Sequence, residues 1–189
     1  MNTTLNESKD VNVPNTQNSL HGLSAFSETA LSWLTEDDTR QTAASLAAAL
    51  SAITPASLFI ALEGDLGSGK TTFVRHLLQA MGVTGRIKSP TYAVVESYDM
   101  INDTFNLWHF DFYRFNDPQE WEEAGFRDIF AGPGYKLAEW PQKAGGLLPE
   151  PDIAILIVAN TDESRNVTLS ARTPTGEQVV QSLKTVHNA

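Results

Sequence analysis

Apolar residues along the chain occur in short runs separated by polar or glycine-containing segments, a pattern that predicts alternating strands and helices. The run Leu58–Leu62 is continuously apolar and is bounded by Pro55 and Gly64. Such runs are typical of strands that are covered on both faces. After a glycine-rich loop, apolar residues recur at helical spacing over Thr72–Met81, which predicts an amphipathic helix. The centre of the chain therefore reads as strand, loop and helix.

The segment before this unit predicts an edge strand followed by a helix. Leu31–Leu34 is a short apolar stretch of strand type. Thr35 and Asp38 then have the spacing of an N-terminal capping box, and acidic residues in the first turn favour the positive end of the helix dipole. The alanine-rich sequence that follows has high helix propensity and predicts a helix that continues to Ala52.

The second half of the chain predicts more strands than helices. A helix is expected from Pro118 to about Gly125, capped by Asn116 or Asp117, and another from about Thr175. The predicted strands are Tyr92–Tyr98, Thr104–Asp111, Tyr135–Glu139, Ile153–Ala159 and Asn166–Arg172, the last two forming a hairpin. Strands and helices alternate in the first part of the chain, and a hairpin is expected near its end. This order predicts an α/β fold whose mixed sheet is centrally parallel with added antiparallel strands.

Length and composition limit the possible functions. The 189 residues suit one well-buried domain, which we assign to residues 19–189, after a polar tail at 1–18 that we expect to be disordered. The chain has no cysteine, and its four histidines do not pair at metal-ligand spacing, so zinc is not expected. No signal peptide or membrane-length apolar stretch occurs, which predicts a cytoplasmic protein with no membrane partner. The formal net charge of −10 disfavours long-range attraction to nucleic acid.

The strongest chemical signal is a phosphate loop. Gly64–Thr71 matches the pattern G-x-x-x-x-G-K-[ST] in full, between a predicted buried strand and an amphipathic helix. Glycines allow backbone N–H groups to point inward, and the helix that begins here adds its positive end. Lys70 would reach the β- and γ-phosphates of ATP, and the Thr71 hydroxyl would bind Mg²⁺. The nucleotide-binding prediction covers Gly64, Asp65, Leu66, Gly67, Ser68, Gly69, Lys70, Thr71 and Thr72.

Other polar residues could complete this site, although the residues alone leave each role open. Asp111 ends a predicted strand and is the candidate carboxylate for Mg²⁺, with His109 on the same strand face. Thr91, in the loop Ser89–Thr91, could reach the metal or the γ-phosphate, but the sequence Ser-Pro-Thr is also an ordinary turn. Glu139 could position water or bind the metal, and the adjacent tryptophan could stack or simply pack.

Taken in order, these motifs resemble the TsaE family (formerly YjeE), the small ATPases of bacterial tRNA threonylcarbamoyladenosine biosynthesis. A phosphate loop alone is shared by many NTPases, whereas the ordered set is specific. The resemblance runs from about Ser32 to Ser170. The matching segments are Gly64–Thr72, Val83–Tyr92, the H-x-D-x-Y-R element His109–Arg114, the E-W element Glu139–Pro141, and the turn Gly146–Pro149.

The resemblance implies a single-domain P-loop NTPase-like sandwich with weak Mg²⁺-dependent ATPase activity. It also implies binding to a TsaB–TsaD complex, which transfers a threonylcarbamoyl group to an adenosine beside the tRNA anticodon, so that tRNA is met only indirectly. Thr91 becomes the switch threonine, and Asp111 keeps its metal role. Glu139 becomes a metal ligand and, with Lys70 and Thr91, a catalytic residue, and Trp140 becomes a neighbour of the nucleotide.

Two alternatives to the ATPase prediction remain open. A small-molecule kinase would need an acceptor pocket and usually an arginine-bearing lid. A nucleotide-gated binding module would use ATP only to control docking. GTP is disfavoured because Asn160–Asp162 lacks the lysine of the guanine signature. If an arginine from this chain completes the site, Arg86, Arg114 and Arg127 are candidates that the sequence does not rank.

Overall fold

The computed structural model describes residues 26–55, 57–99, 106–115 and 117–187, so the tail predicted for residues 1–18 lies outside it. None of the helices in these ranges is long and apolar enough to cross a bilayer. The elements in chain order are β1 (Ser27–Trp33), α1 (Glu36–Ile53), β2 (Ser57–Glu63), α2 (Lys70–Ala80), β3 (Val95–Asp99), β4 (Asn106–Asp111), α3 (Pro118–Glu123), α4 (Phe126–Ala131), β5 (Gly134–Glu139), a 3-10 helix (Pro141–Ala144), β6 (Ile153–Ala159), β7 (Arg165–Ala171) and α5 (Pro174–His187).

The described strands form one sheet in the order β1-β7-β6-β2-β5-β4-β3. The central pairs β6–β2, β2–β5 and β5–β4 are parallel. The outer pairs β1–β7, β7–β6 and β4–β3 are antiparallel. The predicted α/β class, the centrally parallel sheet and the late hairpin are confirmed, as is the position of the first strand at a sheet edge.

The central strand β2 shows why its sequence is apolar throughout. Leu58, Ile60 and Leu62 belong to the core beneath α1, α2 and α5, whereas Phe59 and Ala61 belong to a second core on the opposite face. Successive side chains of a strand point to opposite faces, so a strand with helices on both sides has no polar position. The two cores fix β2, and with it the start of the glycine-rich loop.

The N-terminus of α1 has the predicted capping box. The Thr35 hydroxyl accepts a hydrogen bond from the Asp38 N–H at 3.4 Å, and the Asp38 carboxylate accepts from the Thr35 N–H at 2.8 Å. The same carboxylate also accepts from the Leu34 N–H at 2.9 Å. These bonds satisfy N–H groups that have no partner within the helix, so the predicted start is confirmed.

The strand predicted over Tyr92–Tyr98 begins three residues later, at Val95. The preceding residues form a turn in which the Val94 N–H donates to the Pro90 carbonyl at 2.6 Å, and Val94 itself has a φ of +66°. Tyr92 is 86% exposed in this turn. The aromatic and β-branched composition suggested a strand, but the turn leaves those side chains outside the sheet.

The helix predicted from Pro118 ends at Glu123, and its cap is Asp117, whose carboxylate accepts from the Gln119 N–H at 2.8 Å. A second short helix, α4, follows after Gly125 and was not predicted. Both helices pack on the face of the sheet opposite α1 through an aromatic cluster: Phe110, Phe112, Phe115, Trp121, Phe126 and Phe130. This cluster packs against β4 beside β5.

Sheet register brings the ends of three strands together. Asp111 of β4 pairs with Glu139 of β5, and Glu139 also pairs with Leu62 of β2. All three strands are parallel, so their carboxyl ends lie at one edge of the sheet, where ligands bind in open α/β sheets. The candidate carboxylates therefore end beside the glycine-rich loop.

Candidate active site

The loop between β2 and α2 has the backbone geometry of an anion-binding nest. Gly64, Gly67 and Gly69 all have positive φ angles, of 139°, 81° and 109°. Gly69 caps α2 without a side-chain hydrogen bond, and the helix begins at Lys70. The first N–H groups of a helix have no partner within it and carry its positive dipole end, so this loop is suited to phosphate.

The Lys70 side chain folds back into the loop. Its ammonium donates to the carbonyl of Gly64 at 2.6 Å and to that of Asp65 at 2.8 Å. It also lies 3.9 Å from the centre of the Trp140 ring, a cation–π contact. Lys70 is only 4% exposed. These contacts hold one positive charge beside the free helix N-terminus.

The electrostatic environment of Lys70 contains opposing effects. Burial lowers the pKa of Lys70 below its usual value, and it is the largest effect. The carboxylates of Glu139, Asp111 and Asp65 act in the opposite direction, because a nearby negative charge favours the ammonium. The site therefore combines one buried cation with carboxylates that partly offset the cost of its burial.

Glu139, at the end of β5, joins two predicted site residues. One carboxylate oxygen accepts from the Thr71 hydroxyl at 2.9 Å, and the other is 2.8 Å from His109 Nε2. His109 is fully buried, and its Nδ1 has no partner among the described residues. A hydrogen on Nδ1 would be an unsatisfied buried donor, which favours the tautomer whose Nε2–H donates to Glu139. His109 thus orients the carboxylate without facing the cleft.

Asp111, at the end of β4, is held by the segment that precedes β3. Its Oδ2 accepts from the Ser89 hydroxyl at 2.5 Å and also from the Thr91 hydroxyl. Its Oδ1 accepts from the Tyr113 N–H at 3.0 Å. Thr91, the predicted switch residue, therefore contacts the predicted magnesium carboxylate directly. A change in the ligands of Asp111 would therefore change the hydrogen bonds that hold the loop carrying Thr91.

Aromatic side chains line the rim of the site. The rings of Trp140 and Tyr113 lie 5.0 Å apart, and the Arg114 guanidinium lies 4.6 Å from the centre of the exposed Tyr92 ring. Trp140 has a left-handed backbone, with φ of 58°, and its N–H donates to the Leu62 carbonyl at 3.2 Å. That bond fixes the residue after β5 against the end of β2.

One cleft of about 600 Å³ brings most of the predicted residues together. Gly64, Asp65 and Ser68 do not line it and form the back of the loop, although they belong to the predicted binding motif. Ser89, Tyr92 and Tyr113 line it without having been predicted to bind nucleotide or metal, and Arg114 lines it as one of the three candidate arginines. The predicted lining residues are Leu66, Gly67, Gly69, Lys70, Thr71, Thr72, Thr91, Asp111, Glu139 and Trp140.

The three candidate arginines are in different places. Arg114 lines the cleft. Arg86 lies in a neighbouring cleft, and Arg127 forms an exposed ion pair with Glu122. An arginine that sequence reasoning missed, Arg165, supports the loop from behind by donating from Nε to the Ser68 carbonyl at 3.1 Å. No local sequence signal could have found it, because the two residues meet only through the hairpin of β6 and β7.

The donor set of this cleft suits Mg²⁺ better than a transition metal. Thr71, Asp111 and Glu139 offer only oxygen atoms. Across the part of the chain that the structure describes, no three His, Cys, Asp or Glu side chains cluster closely enough to hold a metal ion by themselves. Magnesium at nucleotide sites is bound by one or two protein carboxylates together with phosphate oxygens and water, so a sparse protein donor set is what it requires.

Comparison with known proteins gives consistent relatives. The family model described as Threonylcarbamoyl adenosine biosynthesis protein TsaE matches residues 34–167. The tRNA threonylcarbamoyladenosine biosynthesis protein TsaE of Haemophilus influenzae is 42% identical over 129 residues, covering 68% of this chain and 80% of that protein. The protein of the same name from Bacillus subtilis is 36% identical over 112 residues, 59% of this chain and 68% of that protein. The crystal structure of YdiB from Bacillus subtilis superposes with a TM-score of 0.67 at 26% identity, covering 86% of this chain and 97% of that one.

Proposed function

The chain belongs to the TsaE family of threonylcarbamoyladenosine biosynthesis proteins, and on that premise we propose that it is a magnesium-dependent ATPase that acts on a TsaB–TsaD complex. The comparisons support two elements of this proposal, the P-loop NTPase-like fold and the membership in a tRNA-modification family. The ATPase activity, the magnesium and the partner are our proposal.

The observation that carries the proposal is the convergence of four side chains from three parts of the chain. Lys70 and Thr71 come from the start of α2, Asp111 from the end of β4 and Glu139 from the end of β5. They line one cleft at the carboxyl edge of the parallel strands. A lysine, a hydroxyl and two carboxylates around a helix N-terminus are the groups that phosphoryl transfer from a nucleoside triphosphate requires.

We assign distinct tasks to these groups. The loop N–H groups and Lys70 bind the β- and γ-phosphates, because the ammonium already lies within the loop. Thr71 and Asp111 would hold Mg²⁺, which when bound neutralises charge on the phosphates. Glu139 would orient and activate the attacking water, and its hydrogen bond to His109 keeps the carboxylate in place. Trp140 would pack beside the nucleotide.

Partner dependence follows from the arrangement of charge. Positive charge stabilises the transition state of phosphoryl transfer, and an arginine supplied by another protein can provide it. In this cleft the Arg114 guanidinium is already engaged with Tyr92, by the ring contact and by a hydrogen bond of 3.4 Å to the hydroxyl. We therefore propose weak turnover by the isolated chain and faster turnover with the TsaB–TsaD complex. The acidic net charge agrees with indirect contact to tRNA.

The experiment is hydrolysis of ATP and of GTP with Mg²⁺, by the chain alone and with added TsaB–TsaD complex. We expect turnover selective for ATP that rises with the complex and stops when EDTA removes the metal. Lys70→Ala should lose nucleotide binding. Glu139→Gln, which keeps the size of the side chain, should bind ATP normally and hydrolyse it at least about a hundredfold more slowly.

Other results would redirect the assignment. Normal turnover by Glu139→Gln would remove that residue from the mechanism. Turnover that is indifferent to the complex would exclude the proposed partner role, and a screen for a phosphorylated acceptor would then test the kinase alternative. If Glu139→Gln still supports repeated rounds of tRNA modification, nucleotide binding without hydrolysis would be sufficient.

A further inference from the structure

A second cleft lies on the other side of the segment that carries Thr91. It has a volume of about 490 Å³, and it is formed by α2 and the residues that lead to Ser89. Three of its side chains are basic, and none is acidic. The lining residues are Arg75, Gln79, Gly85, Arg86, Ile87, Lys88 and Ser89. In a chain with a net charge of −10, this is a local concentration of positive charge.

The three cations are available to a ligand. Arg86 and Lys88 are exposed, and Arg75 is half-buried. Arg75 Nε donates to the Ile87 carbonyl at 3.5 Å, which directs this side chain toward the loop. In the described ranges, none of the three forms an ion pair with a carboxylate within 4.0 Å. Three unneutralised cations around a concavity repel one another, and an anionic group placed among them relieves that repulsion.

We propose that this basic cleft is a docking site for an acidic segment of a partner protein. The inference rests on the proposed function, because it locates the surface through which the chain meets the TsaB–TsaD complex. A protein partner fits better than RNA for two reasons. A net charge of −10 repels a long polyanion such as RNA more strongly than a short acidic segment, and the cleft has no aromatic side chain on which a base could stack.

The position of the cleft links docking to the nucleotide site. Ser89 lines both clefts, and its hydroxyl donates to Asp111 at 2.5 Å. A segment bound among Arg75, Arg86 and Lys88 therefore contacts the loop whose hydroxyl groups hold the proposed magnesium carboxylate. By linkage, a nucleotide that alters that loop changes the affinity of the basic cleft, and an occupant of the cleft changes nucleotide affinity by the same factor.

The test compares two double variants of equal charge change. Arg86→Gln with Lys88→Gln removes two charges from the basic cleft. Arg40→Gln with Arg127→Gln removes two charges from exposed positions that line neither cleft. Binding to purified TsaB–TsaD complex is measured by titration calorimetry with ATP present, at low and high salt. Binding of ATP by each isolated variant serves as the check on folding and on the nucleotide site.

We expect the cleft variant to bind the complex at least about tenfold more weakly, with a shallower salt dependence, while the control stays within about twofold of wild type. ATP binding by both isolated variants should be unchanged. Wild-type affinity of the cleft variant for the complex would overturn the inference and leave the proposed function intact. Loss of binding to naked tRNA without loss of binding to the complex would also overturn it, in favour of an RNA site. Failure of the wild-type chain to bind the complex would overturn the proposed function itself.

Discussion

Gly64 opens the phosphate loop where the chain leaves β2 beside β6, and its replacement by alanine tests whether backbone packing dictates the glycine there. Its φ is +139°, a conformation that residues with a Cβ rarely adopt. A Cβ atom at this position would lie 2.3 Å from the Ile157 carbonyl oxygen and 2.7 Å from the Ser68 hydroxyl. The closer of these contacts is with the backbone of a central strand, which cannot move as a flexible side chain does.

Gly67, in the same loop, provides a matched control. Its φ is +81°, so alanine there is also strained, but an added Cβ would meet no atom within 4 Å. The two variants therefore share the substitution, the motif and a positive φ, and they differ in steric overlap. A difference between them measures the overlap at Gly64 with the Ile157 carbonyl and the Ser68 hydroxyl, together with the strain of its larger φ.

The expected losses of stability follow from backbone strain, which both variants share, and from steric overlap, which only Gly64→Ala has. Backbone strain at a positive φ costs about 1–2 kcal/mol for a residue with a side chain. Overlap with packed backbone adds about 1–3 kcal/mol. Gly67→Ala should therefore lower the free energy of unfolding by about 1–2 kcal/mol, and Gly64→Ala by about 2–5 kcal/mol. The overlap is the difference between the two variants, about 1–3 kcal/mol, and for a chain of this size it corresponds to a melting temperature lower by roughly 2–12 °C.

The assay is urea unfolding followed by circular dichroism, with thermal melting as a second measure and ATP binding on the same samples. Gly64→Ala should lose stability and ATP affinity together, because the overlap displaces the loop whose carbonyl holds Lys70. If Gly64→Ala is as stable as Gly67→Ala, the overlap with β6 does not restrict this position and the reasoning is wrong.

Three further changes separate stability from binding. Lys70→Met should abolish ATP binding without loss of stability at pH 7, because burial lowers the pKa of this lysine and makes its charged form costly below that pKa. Arg165→Ala should weaken ATP binding about three- to tenfold with little change in melting temperature, since it removes the hydrogen bond to the Ser68 carbonyl. Asp38→Ala should lower the melting temperature at pH 7, because it removes the carboxylate that accepts from the Thr35 N–H in the capping box of α1, and should leave ATP turnover unchanged.

For each of these three variants, one result would contradict the prediction. A loss of more than about 1 kcal/mol in Lys70→Met would mean that its hydrogen bonds outweigh its burial. Unchanged ATP affinity in Arg165→Ala would show that the loop is rigid without this support. Hydrogen bonds from Thr35 lower the pKa of Asp38, so its contribution is present above the usual carboxyl pKa and is lost as pH falls through the lowered one. The difference between Asp38→Ala and wild type should vanish well below pH 4, and its persistence there would contradict the capping explanation.

Local features of the sequence were sufficient for the elements around the phosphate loop. The motif Gly64–Thr71, the apolar strand before it and the capping box at Thr35 each depend on residues within a few positions of one another. Such interactions have the same geometry wherever they occur, so a pattern predicts them. The strand predicted at Tyr92 was placed too early because side-chain type does not encode a turn like that closed by the Pro90 carbonyl.

The residues alone made Asp111, Thr91 and Glu139 candidates and the family resemblance assigned their roles, but neither predicted the contacts between them. Their adjacency depends on the parallel pairing of β4 with β5, which joins segments separated by a pair of short helices. Pairing of that kind is selected by burial of both sheet faces and not by local propensity. The hydroxyl groups on Asp111 and the histidine behind Glu139 could be identified only after the strands were in register.

The sequence by itself determined that this chain has a phosphate loop between a buried strand and a helix, and that its ordered motifs are those of one family. Only the tertiary structure decided which side chains support that loop and what lies beside it. Arg165 reaches the Ser68 carbonyl through a hairpin formed almost a hundred residues later, and Arg75 meets Arg86 and Lys88 because α2 packs next to the following loop. Contacts between distant segments are set by packing of the whole core, so the short-range spacing of residues does not predict them.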